Sequence, residues 1–390
     1  MTTSKIIFAS DFAPIRNFAD MMRDEPERIY GDLLEPLRKA DYSIVNLEAP
    51  LYTGERHITK SGAAFSGYPE HIGSLLAGGF KTAICANNHT FDSDVDGFFK
   101  TRQLLEENGI ACVGAGANLE QARQPQEITM NGVKMLLLAI SEGEDMRGAT
   151  ENTPGVRPWE PEVLAEQIRQ AKDKYNAIIV SAHCGLENQP FPSFYVYEAF
   201  RLWAEAGADI IIGHHPHVPQ GMVQFGKCPA YFSLGNFAFY QPAQLFYRKL
   251  GYMLEMQIDE TGVVSHRPIP YKIREDGLHL LDAKEQADFN ALMDKLSAPL
   301  QSETGARQAW NAVLAYNGVQ GFCDELEKIR QTMLDNAPKG AAMLRNRVCC
   351  MQHRMQWIDG MNRIADGTID DAPAELVELV RDFLKREVEK

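Results

Sequence analysis

"GADIIIGHHPHVPQG", residues 207–221, is the stretch from which the rest of the chain is read. Three isoleucines, Ile210 to Ile212, stop at Gly213, and His214, His215 and His217 fall within the four residues that follow. A short apolar run rich in β-branched side chains and closed by glycine predicts a buried strand. The chain has ten histidines in all, and three of them sit where this strand ends.

The same pattern recurs outward in both directions. Runs at 6–9, 42–45, 82–86, 135–140, 177–182, 231–234 and 253–258 are β-branched or otherwise apolar, with helical periodicities between them. Strands alternating with helices predict an α/β domain over residues 1–281. "GFFKTRQLLEENG" and "PSFYVYEAFRLWAEAG" carry apolar residues at helical spacing and end at Gly109 and Gly207, as helix C-termini commonly do. From 282 to 390 the strands give way to amphipathic segments at 288–300, 305–318, 323–336, 341–361 and 373–390. Their Leu, Met and Trp recur every three or four residues, which predicts a helical C-terminal region packed on the first domain or on itself.

Polar residues follow the runs of the first domain. Ser10 and Asp11 come after 6–9, Asn46 and Glu48 after 42–45, and Asn87, Asn88, His89 and Asp92 after 82–86. His183 and Glu187 follow 177–182, the histidine cluster follows 209–212, and Asn236 follows 231–234. In α/β sheets ligands bind beyond the carboxyl ends of the strands, where residues distant in sequence converge. One histidine at a strand end is ordinarily structural; six ends furnished with Asp, Glu, Asn or His predict a site. Imidazole nitrogen with carboxylate and amide oxygen is a donor set for Zn²⁺, Mn²⁺ or Fe²⁺. Around two such ions the carboxylates of Asp11 and Glu48 leave a net charge of about plus two, which suits an anionic substrate.

Composition narrows the remaining classes. With 45% hydrophobic and 24% charged residues the 390-residue chain is folded throughout. A formal charge of −14 argues against a general nucleic-acid surface, so no nucleic-acid partner is expected. The first residues, "MTTSKIIFASDFAP", hold an apolar run too short for a secretory signal. No stretch approaches the roughly eighteen apolar residues of a membrane span, so the expectation is a cytoplasmic protein without a membrane anchor. The seven cysteines lack a Cys-x-x-Cys pair and are expected to be reduced and mostly buried. "RVCCMQHRMQW" reads as helical, with Cys349 and Cys350 packing rather than chelating.

Seven motifs now stand in order: "SDFAPIR" at 10–16, "NLEAPL" at 46–51, "ANNHTFD" at 86–92, "GIACVGAG" at 109–116, "HCGLEN" at 183–188, the histidine stretch, and "YFSLGNFAF" at 231–239. Together they resemble the bacterial capsule synthesis, poly-γ-glutamate biosynthesis (CapA-like) proteins, within the calcineurin-like metallophosphoesterase class. The resemblance covers about residues 5–240 and leaves the helical region outside. It implies a metallophosphoesterase-like β-sandwich flanked by helices, four layers in the order αββα, here with a helical C-terminal extension. It also implies a centre of two divalent metal ions, Mn, Zn or Fe.

Carried over by motif, Asp11 and Glu48 are the early carboxylate ligands with Glu48 the bridge, Asn88 is the amide ligand, and His183 is the lone strand-end ligand. His215 and His217 are the closing pair, and His89 is the catalytic or phosphate-contacting histidine. Asn46, Asn87, Asp92, Glu187, His214 and Asn236 fall to substrate contact or to support around the ligands. Arg16 is expected to clamp an anionic group, with a surface ion pair as the alternative. Two departures stand out: Ala13 replaces the histidine with which the wider class opens, and Cys184 replaces a tryptophan common after the lone histidine. Cys184 reads as a packing residue in preference to a nucleophile, since no general base stands beside it.

The expected function is a metal-dependent hydrolase, a two-metal phosphoesterase acting on an anionic small molecule or polymer. One alternative is a non-catalytic or assembly component of capsule or poly-γ-glutamate biosynthesis. Another is a metal-dependent γ-glutamyl amide hydrolase. Self-association into a homo-oligomer is left open, as is a role for the helical region as lid or dimer interface.

Overall fold

The computed structural model describes residues 3–54 and 57–388. Strands β1 (Ser4–Ala13), β2 (Tyr42–Leu47), β3 (Thr82–Ile84) and β4 (Ala111–Val113) lie side by side in parallel. β1 to β3 are buried almost throughout, and parallel strands covered on both faces read as continuous apolar runs. Beyond the short β5 (Ala115–Gly116), β6 (Gln126–Met130) turns back into β7 (Val133–Ser141), while β8 (Gly155–Val156) pairs with β5. β9 (Ala177–His183) and β10 (Ile210–His214) follow β7 in parallel, and β11 (Met222–Phe225) with β12 (Cys228–Tyr231) closes a second sheet, ordered β11-β12-β10-β9-β7-β6. β13 (Asn236–Phe239) returns to the end of β1. β14 (Leu250–Asp259), β15 (Gly262–Arg274) and β16 (Gly277–Leu280) then complete the first sheet in the order β16-β15-β14-β1-β2-β3-β4.

The period-two alternation of strands sorts neighbouring side chains into different layers. Ile6, Phe8, Ile44 and Ile84 of the first sheet meet Leu137, Ile179, Ile210 and Ile212 of the second in a core between the sheets. Their neighbours Ile7, Ala9 and Val45 face outward onto Phe18, Leu33, Leu75 and Phe98, which come from the helices and helical turns flanking that sheet. Leu138, Val180 and Ile211 face the other way, onto Leu164, Phe200 and Trp203 of helices Pro161–Ala171 and Phe194–Ala206. Each Val, Leu, Ile or Phe side chain so buried is worth about 1.5–3 kcal/mol relative to exposure. The result is the four-layer αββα sandwich. Both expected helix ends are seen, with Gly109 and Gly207 at φ 71° and 114°.

The expected strand over 231–234 is corrected. β12 stops at Tyr231, and residues 232–235 carry the chain from the second sheet into the first, where β13 begins. The crossing runs so close to β10 that a Cβ on Gly213 would stand 2.0 Å from the Phe232 carbonyl oxygen. Only glycine fits there.

The strands end at Leu280, and Asp282 opens the helical region by accepting from the backbone N–H groups of Lys284 and Glu285 in a capping box. Helices Ala283–Ser297, Glu303–Asp335, Ala337–Cys349, Met351–Ala365 and Ala374–Lys385 follow, the second of them kinked at Gly318. The single segment expected over 341–361 is two helices, because Cys350 adopts an extended backbone at φ −75°, ψ 130°. Leu296, Leu300, Trp310, Phe322 and Phe383 join the same apolar cluster as Phe200 and Trp203, so this region covers the helical layer of the second sheet. All seven cysteines are free; Cys85, Cys184, Cys228 and Cys350 are buried, whereas Cys323 and Cys349 are exposed. Among the described residues no helix is long and apolar enough to cross a membrane.

Candidate metal centre

The ends of β1, β2, β9 and β10 converge because the register aligns them. Asp11 pairs with Asn46 on one side and Asn236 on the other, and His214 pairs with His183. Beyond β10 the backbone turns sharply: His215 and His217 sit at φ 97° and 58°. Left-handed backbone at residues other than glycine costs about 1–3 kcal/mol each and persists where surrounding structure imposes it.

Six side chains then close on one another. Glu48 Oε1 lies 3.4 Å from His183 Nε2 and 3.6 Å from His217 Nε2. His183 Nε2 lies 3.0 Å from Asn88 Oδ1 and 3.0 Å from His215 Nδ1, and Asp11 Oδ2 lies 3.2 Å from His217 Nδ1. Glu48, His183 and His215 bring donor atoms within 4.8 Å of one another, as do Asp11, Glu48 and His217, and Glu187, His215 and His217. Glu48 is common to the first two groups. A metal bound at about 2.0–2.2 Å sets neighbouring ligand atoms about 3.0–3.6 Å apart in octahedral or tetrahedral shells.

The residues fit a divalent ion on a further ground. Both carboxylate oxygens of Glu48, together with His214 Nε2 and His215 Nε2, are buried with no hydrogen-bond partner among the described residues. A buried carboxylate without a partner costs several kcal/mol, so these atoms call for a cation. Burial and the neighbouring Asp11 push the Glu48 carboxyl well above its usual range. Burial also pushes Asp11 upward, but hydrogen bonds and charge from His214 and His217 outweigh it and hold Asp11 well below the carboxylate range. Burial and His215 keep His183 well below the usual imidazole range, in the neutral form that ligates metals. His217 goes the other way: burial opposes its charge, yet Glu48 and Asp11 raise it to about 10, so a proton here answers the carboxylates.

Behind these atoms lies a buried layer of amides. Asn46 Nδ2 donates to Asp11 Oδ1 at 2.8 Å and sits 3.3 Å from His183 Nδ1, while Asn87 Nδ2 donates to Asn46 Oδ1 at 3.2 Å and to the Leu47 carbonyl at 2.8 Å. Asn236 Oδ1 lies 3.0 Å from His217 Nδ1, and its Nδ2 donates to the His217 carbonyl at 3.0 Å. His214 stacks on Phe8, with Nδ1 3.2 Å from Ser10 Oγ and 3.5 Å from Asp11 Oδ1. Asn46, Asn87, Asn236 and His214 are all buried. Glu187 is exposed at the edge of the cluster.

His89 belongs to a second constellation. Asp92 Oδ2 is 2.5 Å from His89 Nδ1, and Asp92 Oδ1 accepts from buried Lys60 at 2.9 Å. Phe65 stacks on His89 with centroids 4.1 Å apart, and Phe239 lies 4.7 Å from the ring of His217. The Arg16 guanidinium sits 5.3 Å above Phe65 and donates to the Tyr240 carbonyl at 2.9 Å, which puts this exposed cation on the aromatic rim.

Ala13 is buried in a small apolar cluster with Ile15, Ala49 and Phe239, with Phe65 packed against it, and offers no donor atom. Cys184 is buried in the large core cluster, and burial with Glu142 pushes its thiol well above the usual range, which keeps it protonated. The sequence reading missed Lys60 and Glu144. Glu144 Oε2 accepts from Asn88 Nδ2 at 2.8 Å, and the signal for it was the rule already in use, since it follows the run 135–140. Lys60, in a loop between β2 and β3, carried no such signal.

The sequence model of the family described as "Bacterial capsule synthesis protein PGA_cap" matches residues 5–241. The chain is 32% identical over 215 residues to the PGA biosynthesis protein CapA of Bacillus subtilis (strain 168), a match covering 53% of this chain and 56% of that protein. It is 33% identical over 213 residues to the capsule biosynthesis protein CapA of Bacillus anthracis, covering 53% of this chain and 52% of that one. The chain thus spans about half the length of the curated relatives it matches. Among solved structures it is similar to a phosphatase from Mycoplasma pneumoniae, at 15% identity and a TM-score of 0.46, over 75% of this chain and 99% of that one.

Proposed function

The chain belongs to the bacterial capsule synthesis protein PGA_cap family, and on that footing we propose that it is a hydrolase that holds two divalent ions and cleaves a phosphate ester of an anionic substrate. The observation that carries the reading is Glu48, buried with both oxygens unpartnered among the described residues and shared by two groups of donors. Asp11, Glu48 and His217 would hold one ion; Glu48, Asn88, His183 and His215 would hold the other. Two such ions supply a nucleophilic water at neutral pH and neutralise charge on a transferring phosphoryl group.

The chain's own groups do the rest. Asp92 fixes Nδ1 of His89 as the proton-bearing nitrogen, leaving Nε2 to exchange a proton with the leaving oxygen. Arg16, on the rim over Phe65, meets a phosphate or carboxylate of the substrate with a planar fork of donors. The cytoplasm is the compartment that suits seven free thiols.

The relatives named above, both biosynthesis proteins, favour a second reading as an assembly component of capsule or poly-γ-glutamate production. Manganese-loaded protein offered p-nitrophenyl phosphate, its bis ester and a γ-glutamyl polymer separates the readings. The phosphoesterase reading expects cleavage of an ester that a chelator abolishes. It also expects His89→Ala to retain metal while lowering kcat by about 10²–10⁴-fold. Cleavage of the polymer alone would make the protein a γ-glutamyl amide hydrolase, and cleavage of none would favour assembly.

A further inference from the structure

The helical C-terminal region lies outside the family match, which ends at residue 241, yet it reaches the centre through one carboxylate. Glu144 is 8% exposed and its two oxygens face different partners. Oε2 accepts from Asn88 Nδ2 at 2.8 Å, while Oε1 accepts from Asn346 Nδ2 at 2.8 Å and from Gln352 Nε2 at 3.2 Å. Asn346 lies on helix Ala337–Cys349 and Gln352 on helix Met351–Ala365, on either side of the break at Cys350, and both are buried. The first of these helices also grips the loop that carries Lys60. Lys339 Nζ donates to the carbonyls of Lys60 and Gly62 at 3.0 and 2.7 Å, and Asn346 Nδ2 donates to Ser61 Oγ at 2.7 Å. Lys60 in turn donates to the Asn88 carbonyl at 3.0 Å.

The chemistry of a side-chain amide gives this chain of contacts a purpose. Turned over, an asparagine presents NH₂, which cannot ligate a cation, where it had presented an oxygen. A carboxylate on the NH₂ side accepts and never donates, so it selects one orientation. We infer that Glu144 is a positioning residue that fixes Asn88 with Oδ1 toward His183. Asn346 and Gln352 hold Glu144 in that position, so the C-terminal helices are part of the support of the metal centre. The role given to Asn88 rests on the two-ion reading above.

The test uses the full-length chain and Mn²⁺ alone, with calorimetric titration of each ion and side-chain amide NMR of Asn88 in the metal-free protein. The expected result is two ions in the parent, with one weakened about 10- to 100-fold in Glu144→Leu and in the double variant Asn346→Leu, Gln352→Leu. The affinity of the other ion should change far less. Glu144→Gln keeps an acceptor for Asn88 and should restore most of the affinity. In the metal-free protein the Asn88 amide protons should be protected from exchange in the parent and in Glu144→Gln, and unprotected in Glu144→Leu. Equal affinity for both ions in the leucine variants, with Asn88 protection unchanged, overturns the inference. If Glu144→Leu does not fold, the double variant decides by the same readouts. A parent that binds no Mn²⁺ would defeat the two-ion reading, and Asn88 protection would then decide the positioning role by itself.

Discussion

At the scale of single residues, the centre is marked by buried polar atoms, both oxygens of Glu48 foremost, that have no hydrogen-bond partner among the described residues. His215 and His217 each sit in strained backbone and face buried carboxylates or a second imidazole. We expect His215→Ala or His217→Ala to reduce bound divalent metal from about two ions to about one per chain while circular dichroism stays unchanged. Full metal content in both variants would remove them from the ligand set. Cys184→Ala should leave metal content alone, since the thiol is buried and protonated; lost activity with metal intact would restore it as a nucleophile. Glu142, which accepts from the Tyr195 hydroxyl, is pushed by burial up to about 8 from an ordinary value of 4.5. Below the ordinary value both folded and unfolded chains hold this proton. Between the two values only the unfolded chain has released it, so stability is lost as pH rises. Glu142→Gln should therefore melt higher than the parent at alkaline pH and show no such advantage in acid, as thermal scans at the two extremes would reveal. A parent more stable than the variant at alkaline pH would contradict this.

At the scale of elements, the crossing of residues 232–235 against β10 sets where the histidines emerge. Gly213→Ala forces a Cβ to within 2.0 Å of the Phe232 carbonyl, and overpacking of this kind costs about 1–3 kcal/mol or more. A denaturant midpoint unchanged by the substitution would show that the two segments are not in contact. The sandwich was legible because strands buried on both faces leave uninterrupted runs such as Ile210 to Ile212, and because Gly109 and Gly207 mark their helix ends. The crossing was not, since Tyr231 to Leu234 is as apolar as any strand and only pairing shows that it changes sheets. β15, partly exposed and holding Pro268 and Pro270, lacks the apolar density of the runs read as strands, and the short β4, β6, β11, β13 and β16 were not read as strands either. The helix break at Cys350 was hidden for a different reason: its neighbours are ordinary helix formers, and the break goes with contacts distant in sequence, from Asn346 and Gln352 to Glu144. For the site, the strand-end rule recovered Asp11, Glu48, Asn88, His183, His215 and His217 as a spatial cluster. It passed over Lys60, which belongs to a loop.

At the scale of the whole molecule, the helical region shares a core with the sandwich. Trp310, Phe322 and Phe383 pack in the same cluster as Phe200 and Trp203, so a chain cut after residue 281 would expose a broad apolar face and lose the partners of Glu144. We expect that fragment to aggregate on size-exclusion chromatography; a soluble monomer with full metal content would refute the shared core and the support of Glu144 together. With a formal charge of −14, the anionic substrate we propose needs a local positive centre, and the buried carboxylates and imidazoles supply one only when they hold cations. Elemental analysis of protein purified without a metal-affinity column therefore bears most directly on the central claim. About two divalent ions per chain are expected; none, even after incubation with Mn²⁺ or Zn²⁺, would rule out a two-ion centre.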